Sequence, residues 1–153
     1  MRELEGGHDG RALSVGVVVS RFNEAITDAL LKGALEALDE ARVGNVTLVR
    51  VPGAFEIPGV AGKMASSGRV DVVVCLGAVI RGQTDHFTFV AAAAQEGILR
   101  VSLDTGVPII FGVLTTDDME QAEHRAGGEA GNKGYESALD AVEMANLYRR
   151  LEE

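Results

Sequence analysis

The run Gly77-Ala78-Val79-Ile80-Arg81-Gly82-Gln83-Thr84-Asp85-His86-Phe87 concentrates the residue types that could do chemistry in this chain. An apolar stretch, Val72–Leu76, delivers the backbone to a small-residue turn, and Gly77 and Gly82 bracket a polar loop. After His86 the apolar pattern changes from strand-like to helix-like. A strand that ends in a glycine-bearing loop and opens a helix aims backbone N–H groups at an anion. A histidine at that junction can exchange protons near neutral pH, because its unperturbed pKa is about 6.5. The segment reads either as an anion cradle beside a proton shuttle or as a plain strand-to-helix turn with a solvated histidine.

Other segments carry similar pairs of readings. Phe22 sits on the loop just after a predicted strand, so its ring either stacks on a planar heterocycle or is an ordinary core phenylalanine. In Pro52-Gly53-Ala54-Phe55-Glu56, small residues let a ligand approach the backbone and Glu56 can accept hydrogen bonds from hydroxyls. The same glutamate is also what a solvated turn before a helix would carry. Arg125 and Lys133 flank a glycine-rich connection, as phosphate ligands or as cations favoured by a helix dipole. Gly59–Met64 lacks the spacing and hydroxyl of a P-loop. His8, His86 and His124 are too scattered for a metal site.

These residues need elements to position them, and strand-like and helix-like segments alternate. Strands are predicted at Leu13–Val19, Val46–Val51, Val70–Leu76 and Val107–Leu114, from apolar and β-branched runs. Asn23 is placed to cap a helix that gathers Ile26, Leu30, Gly33, Ala34, Ala37, Leu38 and Ala41 on one face. Further helices are predicted at Ile57–Ser66, opened by Pro58, and at His86–Asp104, with Phe87, Val90, Ala91, Ala94 and Ile98 inward. The last two span Asp117–Ala126, capped by Thr116 or Asp117, and Lys133–Leu151. Repeated β–α units imply an α/β three-layer sandwich, a four-stranded parallel sheet with helices on both faces. Ligands bind such sheets beyond the C-terminal strand ends. That rule selects Ser20–Asn23, Pro52–Glu56, Ala78–Asp85 and the turn around Thr115.

At 153 residues the chain reads as a single domain, with residues 1–11 as an N-terminal extension. Its composition is 46% hydrophobic but only 5% aromatic, so small aliphatic residues must build the interior. A formal charge of −9 argues against nucleic acid and against an anionic membrane surface as partners. There is no apolar signal segment and no stretch long enough to span a bilayer, so the expected location is cytoplasmic. The lone cysteine, Cys75, lies inside an apolar run and reads as a buried small hydrophobe.

Ser20–Asn23, Val51–Pro58, Gly77–Gly82 with His86-Phe87, Gly106–Thr115, and Arg125–Gly127 with Ala130–Gly134 together resemble 6,7-dimethyl-8-ribityllumazine synthases. The likeness runs in register from the first strand to the last helix. It implies pentamers, with each active site between neighbouring subunits. It also implies condensation of 5-amino-6-(D-ribitylamino)uracil with 3,4-dihydroxy-2-butanone 4-phosphate, without metal or organic cofactor. By this resemblance Phe22 stacks on the pyrimidinedione and Phe111 helps line that pocket. Ala54, Phe55 and Glu56 hold the ribityl chain, and Ala78, Val79 and Ile80 meet the uracil edge through main-chain groups. Gln83, Thr84 and Arg125 bind phosphate with Lys133 nearby, and His86 shuttles protons.

One departure is Thr88, which stands where members of the family commonly carry an acid two residues after the histidine. The short Gly127–Gly134 connection resembles that of members whose pentamers close into icosahedral 60-mers. Two non-catalytic readings are a lumazine or riboflavin carrier and a shell subunit, and an enzymatic one forms riboflavin from two lumazines. His86, Arg125 and Lys133 occurring together speak against the non-catalytic readings, because a mere binder needs no phosphate site.

Overall fold

A computed structural model describes residues 1–153. The elements in chain order are β1 (Ser14–Ser20), α1 (Glu24–Glu40), β2 (Asn45–Val51), a 3-10 turn (Ala54–Glu56) and α2 (Ile57–Ser66). They continue as β3 (Val72–Ile80), α3 (His86–Thr105), β4 (Ile109–Thr116) and α4 (Met119–Arg125). A small hairpin of β5 (Ala126–Gly128) and β6 (Gly131–Asn132) leads into α5 (Lys133–Glu152). The main sheet is parallel, in the order β2-β1-β3-β4. The predicted three-layer sandwich is the observed one.

Central parallel strands are buried on both faces and therefore read as unbroken apolar runs. The valines of β1 and Val72–Leu76 of β3 are inaccessible to solvent. Side chains alternate across the sheet. Val15, Val17, Val19, Val74 and Leu76 join α1 and α5 on one side, whereas Val18, Val73, Cys75 and Val79 join α2 and α3 on the other. Alanines let α1 and α5 pack closely, among them Ala34, Ala37, Ala138 and Ala141. Closest is Gly134, where a Cβ would run into the Leu30 carbonyl.

Several boundaries differ from expectation. β3 does not turn at Gly77 but continues to Ile80, because β4 stays paired with it from Val73↔Ile109 to Ile80↔Thr116. The polar loop is therefore shorter, Arg81–Asp85. Asn23 occupies the N-cap position of α1, yet its side chain makes no cap bond; it is left-handed at φ 61 and ψ 52. Neither Thr116 nor Asp117 caps α4. That role falls to Asp118, whose carboxylate accepts from the Gln121 N–H at 2.8 Å. Residues 1–13 form no helix or strand and lie along α5, where Asn146 Nδ2 donates to the Gly7 and Asp9 carbonyls at 2.8 and 3.0 Å.

Candidate active site

A cleft of about 650 Å³ opens beyond the C-terminal ends of β1, β2 and β3. It is lined by Phe22, Pro52–Glu56, Ala78–Ile80, Gly82, Thr84, His86, Phe87 and Val90. Three of the four loops picked out by the sheet-edge rule thus converge on one cavity.

Hydrogen bonding explains how the loops come together. The Arg21 and Phe22 N–H groups donate to the Val51 and Pro52 carbonyls at 2.8 and 3.0 Å, so the β1–β2 ladder continues past both strands. Asn23 Nδ2 donates to the Ala78 carbonyl at 3.0 Å and ties this loop to the end of β3. Phe22 projects between these anchors with 72% of its surface exposed, which rules out the core-phenylalanine reading. An isolated aromatic this open is costly to leave in water and suited to stacking.

The 3-10 turn is closed by the Glu56 N–H donating to the Gly53 carbonyl at 3.2 Å, and Pro58, whose fixed φ suits a helix start, lies in the first turn of α2. Ala54, the first residue of the 3-10 turn, is buried, while Phe55 and Glu56 are exposed at the cleft.

His86 is the first residue of α3, and its N–H donates to the Thr84 hydroxyl at 3.3 Å. The bond places the imidazole at a helix N-terminus, where backbone dipoles favour an anion. The histidine is exposed, as is Thr88 two residues further on. Cys75, by contrast, is wholly buried, and desolvation pushes its thiol well above the ordinary range, so it takes no part in chemistry here.

The remaining predicted residues stand apart from this cleft. Gln83 is exposed on the Arg81–Asp85 loop but does not line the cavity. Phe111 pairs with Cys75 in the middle of β4 and borders a separate depression with Asp140, Glu143 and Met144. Arg125 ends α4, with one guanidinium nitrogen donating to the Gln121 carbonyl at 3.3 Å, and Lys133 opens α5. The hairpin between them needs the left-handed glycines Gly127 (φ 103) and Gly131 (φ 84). Asn132 secures its far end, accepting from the Gly134 and Tyr135 N–H groups and donating to the Ala29 carbonyl of α1 at 3.0 Å. Neither cation reaches the cleft of its own chain.

Pro52, Gly53 and Gly82 lie on loops that the sheet-edge rule had selected, whereas Phe87 and Val90 are cleft residues that sequence reasoning missed. Phe87 and Val90 were legible only as inward residues of α3, and they do pack on the α2–α3 core, but at its edge they also face the cavity.

Comparison with known proteins adds two findings. The family model described as 6,7-dimethyl-8-ribityllumazine synthase matches residues 12–149. A 6,7-dimethyl-8-ribityllumazine synthase of Thermococcus gammatolerans is 54% identical over 100% of this chain and 99% of its own length.

Proposed function

Because this chain belongs to the 6,7-dimethyl-8-ribityllumazine synthase family, we propose that its cleft condenses 5-amino-6-(D-ribitylamino)uracil with 3,4-dihydroxy-2-butanone 4-phosphate. It is a transferase of riboflavin biosynthesis. The observation that carries the assignment of the cleft is the meeting of an exposed Phe22, the backbone of 54–56 and 78–80, and His86 in one cavity.

In this reading Phe22 stacks on the pyrimidinedione and main-chain groups of Ala78, Val79 and Ile80 read its edge. Ala54, Phe55 and Glu56 hold the ribityl hydroxyls. Gln83 and Thr84 meet the phosphate beside the N-terminus of α3, with Arg125 and Lys133. The 5-amino group attacks the ketone and loses water to give a Schiff base. Removal of a proton then expels phosphate, and the ribityl-bearing nitrogen closes the ring with loss of a second water. Each step moves a proton, and a positioned base such as His86 typically contributes about 10²–10⁴-fold. Holding both substrates together removes the entropy of their encounter. Arg125 retains the phosphorylated substrate and stabilises the departing anion.

The same reading makes the site a shared one. Arg125, Lys133 and Phe111 lie away from their own chain's cleft, so a neighbouring subunit supplies them. A ring of five subunits joined head to tail satisfies every cleft in turn. The outer face of α3 supports this, since Phe89, Leu99 and Leu103 are exposed at 71%, 59% and 73%. An icosahedral shell of such pentamers fits the short Gly127–Gly134 connection. We read residues 1–153 as one domain with 1–11 as an extension, working in the cytoplasm; no helix is long and apolar enough to cross a membrane.

Mixing the two substrates with purified protein and following lumazine absorbance tests the activity; no product would overturn it. Light scattering tests the assembly, and a fully active monomer or dimer would sink the shared site. Co-expression of His86→Ala with Arg125→Ala tests it further. Random mixing leaves about one quarter of sites with both wild-type partners, so about a quarter of wild-type activity should return when the butanone phosphate is held well below the raised KM of Arg125→Ala.

A further inference from the structure

Arg81 belongs to none of the roles above, yet it joins three parts of the site. Its backbone N–H donates to the Thr116 carbonyl at 2.9 Å, adding a last rung between β3 and β4. Its side chain then turns back in two directions. Nε donates to Asp117 Oδ1 at 3.0 Å, in the turn that leads into α4. The guanidinium carbon lies 4.5 Å from the centroid of the Phe87 ring. Phe87 is the residue directly after His86 and itself lines the cleft.

The first turn of α3 has few other restraints on its outer side. Residues 81–86 are all exposed, and Asp85 at the N-cap makes no side-chain cap bond. Only the Thr84 hydroxyl accepts from the His86 N–H, at 3.3 Å. The inner side of Phe87 packs on the α2–α3 core. A planar guanidinium can hold a carboxylate with its edge while its face covers an aromatic ring, which an ammonium cannot do.

We propose that Arg81 is a positioning residue: oriented by Asp117, its guanidinium clamps the Phe87 ring and thereby holds His86 in place at the start of α3. Arg81 itself touches no substrate. The inference rests on the lumazine-forming activity proposed above. Each of its two side-chain contacts is solvent-exposed and worth a factor of about two to five, so together they allow about tenfold.

Steady-state kinetics on both substrates test this with wild type, Arg81→Met, Arg81→Lys, Phe87→Leu and the Arg81→Met/Phe87→Leu double variant. Arg81→Met should lower kcat about tenfold while both KM values stay within about twofold. Arg81→Lys should recover part of the loss. In the Phe87→Leu background, Arg81→Met should cost no more than about twofold, because the ring it acts through is gone. An equal loss in both backgrounds, or no loss at all, overturns the proposal. So does a rise confined to the KM of the butanone phosphate, which would make Arg81 a phosphate ligand. If Arg81→Met does not fold, Asp117→Asn carries the test. It should lower kcat about threefold in the wild-type background and leave Phe87→Leu unchanged, and equal losses in the two would overturn the clamp. An inactive wild-type protein would refute the proposed activity instead, so the two failures are distinct.

Discussion

Asn23 combines two demands that substitution can separate. It sits in the left-handed region at φ 61, and its amide donates to the Ala78 carbonyl at 3.0 Å, joining the Phe22 loop to the end of β3. Left-handed backbone costs most L-residues about 1–2 kcal/mol, whereas glycine visits it freely and asparagine tolerates it. The hydrogen bond is worth about 1 kcal/mol net. Asn23→Gly should therefore lose about 1 kcal/mol, from the bond alone. Asn23→Ala should lose about 2–3 kcal/mol, from bond and backbone together. Asn23→Asp keeps the shape but sets a carboxylate against a carbonyl, so it should be at least as harmful as Asn23→Gly. All three should raise KM for the ribitylaminouracil about five- to tenfold, since Phe22 and Ala78 both lose their tether. Urea unfolding at one fixed protein concentration measures the first effect and steady-state kinetics the second. Alanine proving as mild as glycine would refute the backbone argument. Wild-type KM in all three would refute the tether.

Other expectations follow from the same geometry. His86→Ala should cut kcat about 100-fold or more with KM values little changed, leaving residual activity from substrate positioning; unchanged turnover would remove His86 from the mechanism. Arg125→Ala should raise KM for the butanone phosphate about 10- to 100-fold, and Arg125→Lys should restore only part, because lysine cannot form two parallel hydrogen bonds. Equal rises for both substrates would instead assign Arg125 to the fold or an interface. Cys75, buried and with its thiol pushed up by desolvation, should react with a thiol reagent at pH 8 at below about one-hundredth of its rate in denaturant. Rapid labelling of the native protein would contradict the buried placement.

Much of the fold was legible because its causes are local. The unbroken valine runs of β1 and β3 fit strands covered on both faces, and the helical period of Ile26, Leu30, Ala34 and Leu38 fits a face turned to a core; both are buried as read. His86 at the start of α3 was visible as a change of apolar period. His86, Phe22, Glu56, Arg125 and Lys133 stood out by type and position with two readings each, and the resemblance supplied their roles and the remaining site residues. Where β3 ends was not legible, since Gly77 and Ala78 look like a turn in isolation; pairing with β4 out to Thr116 holds them as strand. The same is true of Asn23, which locally resembles a cap but finds its partner 55 residues away, at Ala78. Arg81 gave no local sign of meeting both Asp117 and Phe87, for that juxtaposition exists only once β3, β4 and α3 are packed. Local pattern decides which face of an element is apolar. Which polar side chain meets which distant carbonyl, carboxylate or ring depends on the register of elements far apart in the chain, and only the assembled tertiary structure sets that register.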